Sequence, residues 1–249
     1  MNSELSEILD VAKGDKIAVV GCNGKTSVIE LLANENINKD MKILISPTTK
    51  ILFMMQKNIT VCTTEEACRK HLPSKGIQCF GTLQETAEAS APQKLTALPL
   101  PLLESLVKHY DIVLMEADGS RGLPFKGYKN YEPVIPSFTT RTVAVINLQA
   151  LYQKATNLNV HNLSEFLLQT NLQEGCLIDE YILATMVCAP NSMLKNSRGH
   201  VTLLMNGAVN EGHFFAANQI AGIIRSRYSN VNTFVAGCTR NKIWRRIYV

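Results

Sequence analysis

A lysine and two hydroxyl side chains follow a glycine-rich turn near the start of the chain. The segment reads, in order, Gly21, Cys22, Asn23, Gly24, Lys25, Thr26 and Ser27. Glycines let a backbone turn tightly and bring its N–H groups close to phosphate oxygens. Lys25 supplies a positive charge for the outer phosphates, and the Thr26 hydroxyl is a ligand for Mg²⁺. The segment therefore predicts a phosphate-binding loop in which these seven residues hold ATP or GTP with Mg²⁺.

The surroundings of this loop favour the same interpretation. An apolar run at residues 17–20 precedes it and a helical pattern at 28–32 follows, so the loop joins a strand to the positive end of a helix. The spacing is shorter than G-x-x-x-x-G-K-[ST], which would place a glycine at Val19. The alternative is a tight turn whose Lys25 is a solvated surface charge. We expect Lys25 at an exposed loop position, where its replacement would spare the fold.

Two carboxylates follow a second apolar strand. Residues 111–116 end in Glu116, and Asp118 comes two positions later. A strand that ends in a carboxylate near a phosphate loop supplies a hard oxygen ligand for Mg²⁺. We predict that Glu116 and Thr26 bind the metal and that Asp118 and Lys25 are the catalytic residues, Asp118 by orienting an attacking group. The alternative is a pair of acids that cap a turn.

Further polar residues lie near the predicted strand ends. Thr48 and Thr49 are candidates for contacts to the γ-phosphate or Mg²⁺, although Ser-Pro-Thr-Thr also suits a turn. Arg121 and Lys126 would neutralise phosphate charge, or else remain solvated loop cations. Cys22 sits at a helix N-terminus, where the pKa of a thiol tends to fall, although a small filler residue is the alternative.

Short apolar runs alternate with helical patterns along the chain, which predicts an α/β fold of the P-loop type, a mostly parallel sheet with helices on both faces. We expect one domain over residues 1–249, with a phosphate and metal half at 1–147 and a divergent half at 148–249. The predicted strands are 16–20, 41–46, 111–116, 142–147, 201–205 and 233–236. The predicted helices are 26–34, 100–109, 162–169, 179–188 and 212–226. Within the less regular stretch 51–98 we expect a helix near 64–71 and a short strand near 78–80.

Composition narrows the functional classes. The chain has 249 residues, a net charge of +4 and seven scattered cysteines, which predicts reduced thiols and no structural zinc. No apolar run reaches the roughly 20 residues that span a bilayer. The basic cluster at residues 240–246 is typical of a solvated tail. We therefore expect a cytoplasmic protein with no membrane or nucleic-acid partner.

Several longer runs carry a family resemblance. The segments 24–27, 46–50, 116–126 and 132–136 together resemble the YqeC-like family of selenium cofactor biosynthesis proteins, described as accessory proteins of selenium-dependent molybdenum hydroxylases. The resemblance extends over 16–147. It implies an NTP-dependent maturation factor whose partners are a nucleotide and such a hydroxylase or its cofactor. Hydrolysis of ATP or GTP is left open.

The later half departs from the family pattern. His161-Asn162 stands where a His-Arg pair is usual, and the segment 206–209 reads Asn-Gly-Ala-Val instead of the Asn-Lys-x-Asp that reads guanine in GTPases. The sequence therefore does not decide whether the base of the nucleotide is adenine or guanine. The loop also resembles that of Mur-type ligases. Two alternatives remain: an ATP-dependent small-molecule kinase or ligase whose acceptor is held by residues 119–137, and a nucleotide-binding scaffold without turnover.

Overall fold

The computed structural model describes residues 3–37, 39–52, 59–84, 93–227 and 230–249. Its strands are β1 (Lys16–Gly21), β2 (Lys42–Ile45), β3 (Ile51–Leu52), β4 (Thr60–Cys62), β5 (Gly76–Phe80), β6 (Thr82–Gln84), β7 (Lys94–Thr96), β8 (Ile112–Glu116), β9 (Phe125–Lys126), β10 (Arg141–Asn147), β11 (Val160–His161), β12 (His200–Asn206), β13 (Thr233–Cys238) and β14 (Ile243–Ile247). Its α-helices are α1 (Leu5–Ile8), α2 (Lys25–Ile37), α3 (Glu65–Lys70), α4 (Leu100–Leu106), α5 (Leu163–Thr170), α6 (Glu180–Cys188) and α7 (Glu211–Arg227).

Nine of the described strands form one sheet in the order β14-β13-β12-β10-β1-β8-β2-β5-β4. Neighbouring strands are parallel, except that β14 runs antiparallel to β13. From β1 the chain first builds the side that contains β2, β4, β5 and β8, and it then builds the side that contains β10, β12 and β13. The order of strands therefore reverses at β1, and ligands of open parallel sheets bind at the carboxyl end of the strands at such a point.

Both faces of the sheet are covered by helices. Along β1, Ile17 and Val19 point to the face that packs α1 and α2, whereas Ala18 and Val20 point to the face that packs α3 to α7. All four side chains are fully buried. Strands buried on both faces are near-continuous apolar runs, as the sequence of β1 is. The predicted P-loop-type α/β fold is confirmed.

The predicted elements of the sheet are found, with small shifts at their ends. The helix and strand expected near 64–71 and 78–80 are α3 and β5. Two small sheets were not predicted, the pair β9–β11 and the antiparallel trio β3–β7–β6. Parts of the irregular stretch 51–98 lie outside the described residues. No helix in the described ranges is long and apolar enough to cross a membrane.

The solvated tail expected at residues 240–246 is only partly correct. Arg245 and Arg246 belong to the edge strand β14, where Arg245 pairs with Glu211 at 2.9 Å and Arg246 pairs with Asp10 at 2.7 Å. Trp244 and Ile247, which stand on either side of the two arginines, are buried. The alternation of buried and exposed residues is the signal of a strand that the run of basic residues obscured.

Candidate functional site

The loop between β1 and α2 lies at the reversal point of the sheet. Gly21 and Gly24 have φ values of 111° and 119°, a conformation that side-chain-bearing residues rarely adopt. A Cβ atom on Gly21 would lie 2.1 Å from the backbone oxygen of Val145. The backbone N–H of Cys22 donates to that same oxygen at 2.9 Å. The loop therefore depends on glycine both for its turn and for its close approach to β10.

Lys25 is the first residue of α2 and is only 3% exposed. Its Nζ donates to the Gly21 backbone oxygen at 2.8 Å and lies 3.2 Å from Asp118 Oδ1 and 3.8 Å from Glu116 Oε1. Burial lowers the pKa of the ammonium group, but the two carboxylates outweigh burial, so the pKa is raised and the lysine stays charged. The expectation of an exposed loop position is wrong, and so is the alternative of a solvated surface charge.

The structure brings Thr26 and Glu116 together. Thr26 Oγ1 donates to Glu116 Oε2 at 2.9 Å, because Glu116 ends β8 directly beside β1. Burial raises the pKa of the Glu116 carboxyl, and the Lys25 charge opposes that rise. The described residues hold no cluster of three or more His, Cys, Asp or Glu side chains suited to a metal. The hydroxyl and carboxylate fit Mg²⁺, which commonly takes one or two protein oxygens and completes its shell with phosphate oxygens and water.

Asp118 lies beneath the loop with no exposed surface. Its Oδ2 accepts a hydrogen bond from the backbone N–H of Gly21 at 2.9 Å. Its Oδ1 faces Lys25 and completes no hydrogen bond with a described residue. In this structure Asp118 therefore holds the loop, and its predicted role towards an attacking group stays a prediction.

A second lysine is buried next to this cluster. Lys126 is 0% exposed, and its Nζ donates to the Gly119 oxygen at 2.7 Å and to Glu132 Oε1 at 2.8 Å. It also lies 4.0 Å from Asp118 Oδ2. The alternative of a solvated loop cation is wrong for Lys126. The lysine instead joins residues 119–132 to the carboxylate that holds the phosphate loop.

The remaining candidates differ in position. Thr48 Oγ1 donates to the Val134 oxygen at 2.6 Å, so this hydroxyl holds a neighbouring loop, and Thr49 beside it is half-buried. Arg121 is exposed and makes no hydrogen bond or ion pair within the part of the chain that is described. It lines a cavity of about 700 Å³ with Lys129 and His161. Among the described residues, neither the Thr48 nor the Arg121 side chain forms a hydrogen bond or ion pair with the loop.

Within the loop, Asn23 and Ser27 are exposed, whereas Cys22 is buried. Burial raises the pKa of the Cys22 thiol to about 12, and the nearby Lys25 charge opposes this only in part. The expected fall of this pKa is therefore wrong, because removal from water outweighs the helix terminus. Cys22 fits the alternative of a small filler residue.

Two residues at the loop carried no signal in the sequence. Ser120 Oγ lies 3.4 Å from Lys25 Nζ, and Asn206, at the end of β12, places its Nδ2 atom 2.6 Å from where a Cβ of Gly24 would stand. Ser120 lies within the run 116–126 that supports the family resemblance. Asn206 was noted only as part of a departure from a guanine-binding pattern.

Comparisons with known proteins agree with the resemblance. The family model described as "YqeC protein" matches residues 17–164, which contain the loop, both carboxylates and Lys126. A protein of Escherichia coli (strain K12) named "Uncharacterized protein YqeC" is 30% identical over 184 residues, which cover 72% of this chain and 70% of that relative. The family model spans more than half of the chain and includes Lys25, Glu116, Asp118 and Lys126. The chain belongs to the YqeC family.

Proposed function

We propose that the chain binds a Mg²⁺–nucleoside triphosphate at the loop of residues 21–27. The observation that carries the proposal is the 2.9 Å hydrogen bond between Thr26 and Glu116 beside a charged Lys25. It joins the first hydroxyl of the helix to a strand-end carboxylate, which is the pair of oxygens that a phosphate-bound Mg²⁺ requires. The loop N–H groups and the N-terminus of α2 add positive potential for the phosphates.

Binding would redistribute the contacts of Lys25. Its Nζ is shared between the Gly21 oxygen and Asp118, and phosphate oxygens would compete for the same ammonium protons. Mg²⁺ at Glu116 would offset the negative charge that the phosphates bring towards two carboxylates. Nucleotide and metal are therefore expected to bind as a unit, with weak binding of the nucleotide in EDTA.

Isothermal titration with Mg²⁺-ATP and Mg²⁺-GTP tests the proposal. The parent protein should bind at least one of them, and Thr26→Ala should lose affinity by about tenfold or more because a metal ligand is removed. Thr185→Ala on α6 is the matched control, since among the described residues the Thr185 hydroxyl accepts a single hydrogen bond, from Arg227 at 3.4 Å. Absence of binding in the parent, or equal affinity of Thr26→Ala, would contradict the assignment.

We further propose that the protein acts in the maturation of selenium-dependent molybdenum hydroxylases. This role is supported by membership of the YqeC family together with the resemblance of segments 116–126 and 132–136 to selenium cofactor biosynthesis proteins. Deletion of the gene should yield a hydroxylase that keeps its molybdopterin but lacks labile selenium and activity. A fully active, selenium-replete enzyme from the deletion strain would refute this role.

One observation favours the alternative of a small-molecule kinase or ligase. Arg121, Lys129 and His161 line one cavity, and Arg121 directly follows Ser120 in the chain. The Ser120 hydroxyl lies 3.4 Å from Lys25 Nζ. A small anionic acceptor held there would lie close to bound phosphates. Nucleotide turnover that rises with an added acceptor would favour this alternative, whereas turnover stimulated by the hydroxylase would favour the maturation role.

A further inference from the structure

The groups suited to phosphate and metal all lie on one side of β1. Glu116 ends β8, and Asp118 and Ser120 follow it; β8 is one neighbour of β1 in the sheet. The strands β10, β12 and β13 lie on the opposite side. A nucleotide whose outer phosphates and Mg²⁺ face Glu116 and Lys25 must extend its nucleoside end away from them. That direction leads over the carboxyl ends of β10, β12 and β13.

Asn206, the last residue of β12, lies in this direction. Its side chain is largely buried, at 8% exposed, and its Oδ1 accepts a hydrogen bond from the backbone N–H of Thr239 at 3.1 Å. This contact fixes the orientation of the amide, so Nδ2 faces the loop, 2.6 Å from the position of a Cβ on Gly24. No described residue accepts a hydrogen bond from Nδ2. An amide donor whose orientation is fixed, placed at the opening beside the loop and with no acceptor among the described residues, is available to an acceptor atom of a ligand.

The strand ends around Asn206 carry no carboxylate. We define the rim as residues 147–150, 206–210 and 237–242, all of which the structure describes, and their only formally charged side chains are Arg240 and Lys242. Two carboxylates near the rim are already engaged. Glu211 pairs with Arg245 at 2.9 Å, and Glu180 accepts a hydrogen bond from the Tyr152 hydroxyl at 2.5 Å.

Purine bases differ in what they require from such a rim. Guanine presents two adjacent donors, N1–H and the N2 amino group, which the two oxygens of a carboxylate match. Adenine presents one amino donor beside ring-nitrogen acceptors, which side-chain amides, hydroxyls and backbone groups match. A rim that offers amides and cations but no free carboxylate leaves the donors of guanine poorly paired, and unpaired donors reduce affinity strongly.

We infer that the nucleoside end of the bound nucleotide lies over this rim, that Asn206 donates a hydrogen bond to it, and that its base is adenine. The inference rests on the nucleotide binding proposed above. It names ATP rather than GTP as the ligand, and it gives Asn206 a role in binding.

Isothermal titration of the parent protein with Mg²⁺-ATP, Mg²⁺-GTP and Mg²⁺-tripolyphosphate tests the inference. ATP should bind about tenfold or more tightly than GTP, and also more tightly than tripolyphosphate, because only ATP has the adenine and ribose to place on the rim. GTP that binds as tightly as ATP overturns the choice of base, and tripolyphosphate that binds as tightly as ATP overturns the location. Absence of binding by all three refutes the proposed function as well.

The variant Asn206→Ala tests the contact itself. Its affinity for Mg²⁺-ATP should fall about fivefold, the effect of one lost hydrogen bond, while its affinity for tripolyphosphate stays that of the parent. Asn34→Ala, on the exposed surface of α2, is the matched control and should bind ATP as the parent does. Equal losses for ATP and tripolyphosphate would place Asn206 at the phosphates and overturn the inference. If Asn206→Ala does not fold, the comparison of ligands in the parent decides.

Discussion

Replacement of Lys25 by methionine should destabilise the fold itself and not only the binding of a ligand. Lys25 is 3% exposed, and its charge faces Asp118 at 3.2 Å and Glu116 at 3.8 Å, which are 0% and 7% exposed. Methionine keeps an unbranched stem of similar length but leaves Glu116 without its cation and Asp118 with only Lys126, at 4.0 Å. Breaking a buried ion pair by removing one partner costs about 3–5 kcal/mol. We expect a loss of this size in the free energy of unfolding at pH 7.

Guanidinium-induced unfolding at pH 7 without nucleotide measures this loss as a lower midpoint at an unchanged slope. The control is Lys13→Met, which removes a lysine whose side chain is 75% exposed and pairs with Asp111 at 3.0 Å. Such a surface pair contributes at most about 1 kcal/mol. The double variant Lys25→Met/Asp118→Asn should recover part of the loss, because it removes the charge of one of the two carboxylates that lost their contact with Lys25.

The loss should also depend on pH in a defined direction. The folded-state pKa of Lys25 is raised above its ordinary 10.5, so its stabilisation is fully present below that value and is lost as pH rises through the folded-state pKa. Without Lys25, the Glu116 carboxyl, whose pKa burial already raises, loses the charge that opposes this rise. The deficit of Lys25→Met should therefore shrink as pH falls from 7 towards 5 and Glu116 takes up a proton. A deficit at pH 7 within about 0.5 kcal/mol of zero would refute the reasoning.

Three further predictions concern the loop and its carboxylate. Gly21→Ala should lower the free energy of unfolding by at least about 2 kcal/mol more than Gly14→Ala does. Both glycines have positive φ, but only at Gly21 would the new Cβ lie 2.1 Å from a backbone atom, the Val145 oxygen. Equal losses by chemical unfolding would contradict this close approach of Gly21 to β10. Iodoacetamide at pH 8 should alkylate the exposed Cys176 and spare Cys22, which is buried and has a pKa raised to about 12; peptide mass mapping that finds both modified at similar rates would show that Cys22 is accessible. Glu116→Gln should remove most of the Mg²⁺ dependence of nucleotide affinity. In the parent protein that Mg²⁺ dependence should weaken as pH falls towards the raised pKa of the Glu116 carboxyl. If titrations at pH 5.5 and 7.5 show the same Mg²⁺ dependence in the parent and the variant, Glu116 is not a metal ligand.

The sequence predicted the parallel sheet well, because its strands are short apolar runs that are buried on both faces. β14 was missed because its Ile-Trp-Arg-Arg-Ile sequence carries two arginines, and the charges that neutralise them, Glu211 and Asp10, lie far away along the chain. The short strands of the two small sheets were missed because pairs such as Val160–His161 contain too few residues for any periodicity.

For the candidate site, the types and order of residues predicted that Lys25, Thr26, Glu116 and Asp118 would meet. Their environment could not be predicted, since burial is a property of the packed fold. The sequence placed Lys25 in solvent and gave Cys22 a lowered pKa, whereas in the fold two neighbouring carboxylates raise the pKa of Lys25 and burial raises the pKa of Cys22. Asn206 was missed for a similar reason, because the sheet places β12 only one strand away from β1, with β10 between them, and a backbone contact at Thr239 orients the Asn206 side chain towards the loop.

The position of β1 has a consequence for how the protein acquires its binding site. β1 lies at the centre of the sheet, yet both of its neighbours, β8 and β10, come much later in the chain. Its terminal residue, Gly21, is held by Asp118, 97 positions further on, and the next residue is held by Val145. Contacts of such long sequence separation form late and slow the folding of a domain. A growing chain on the ribosome therefore lacks a complete phosphate loop until β10, which ends at Asn147, has emerged, so more than half of the 249 residues must be made before the loop can form.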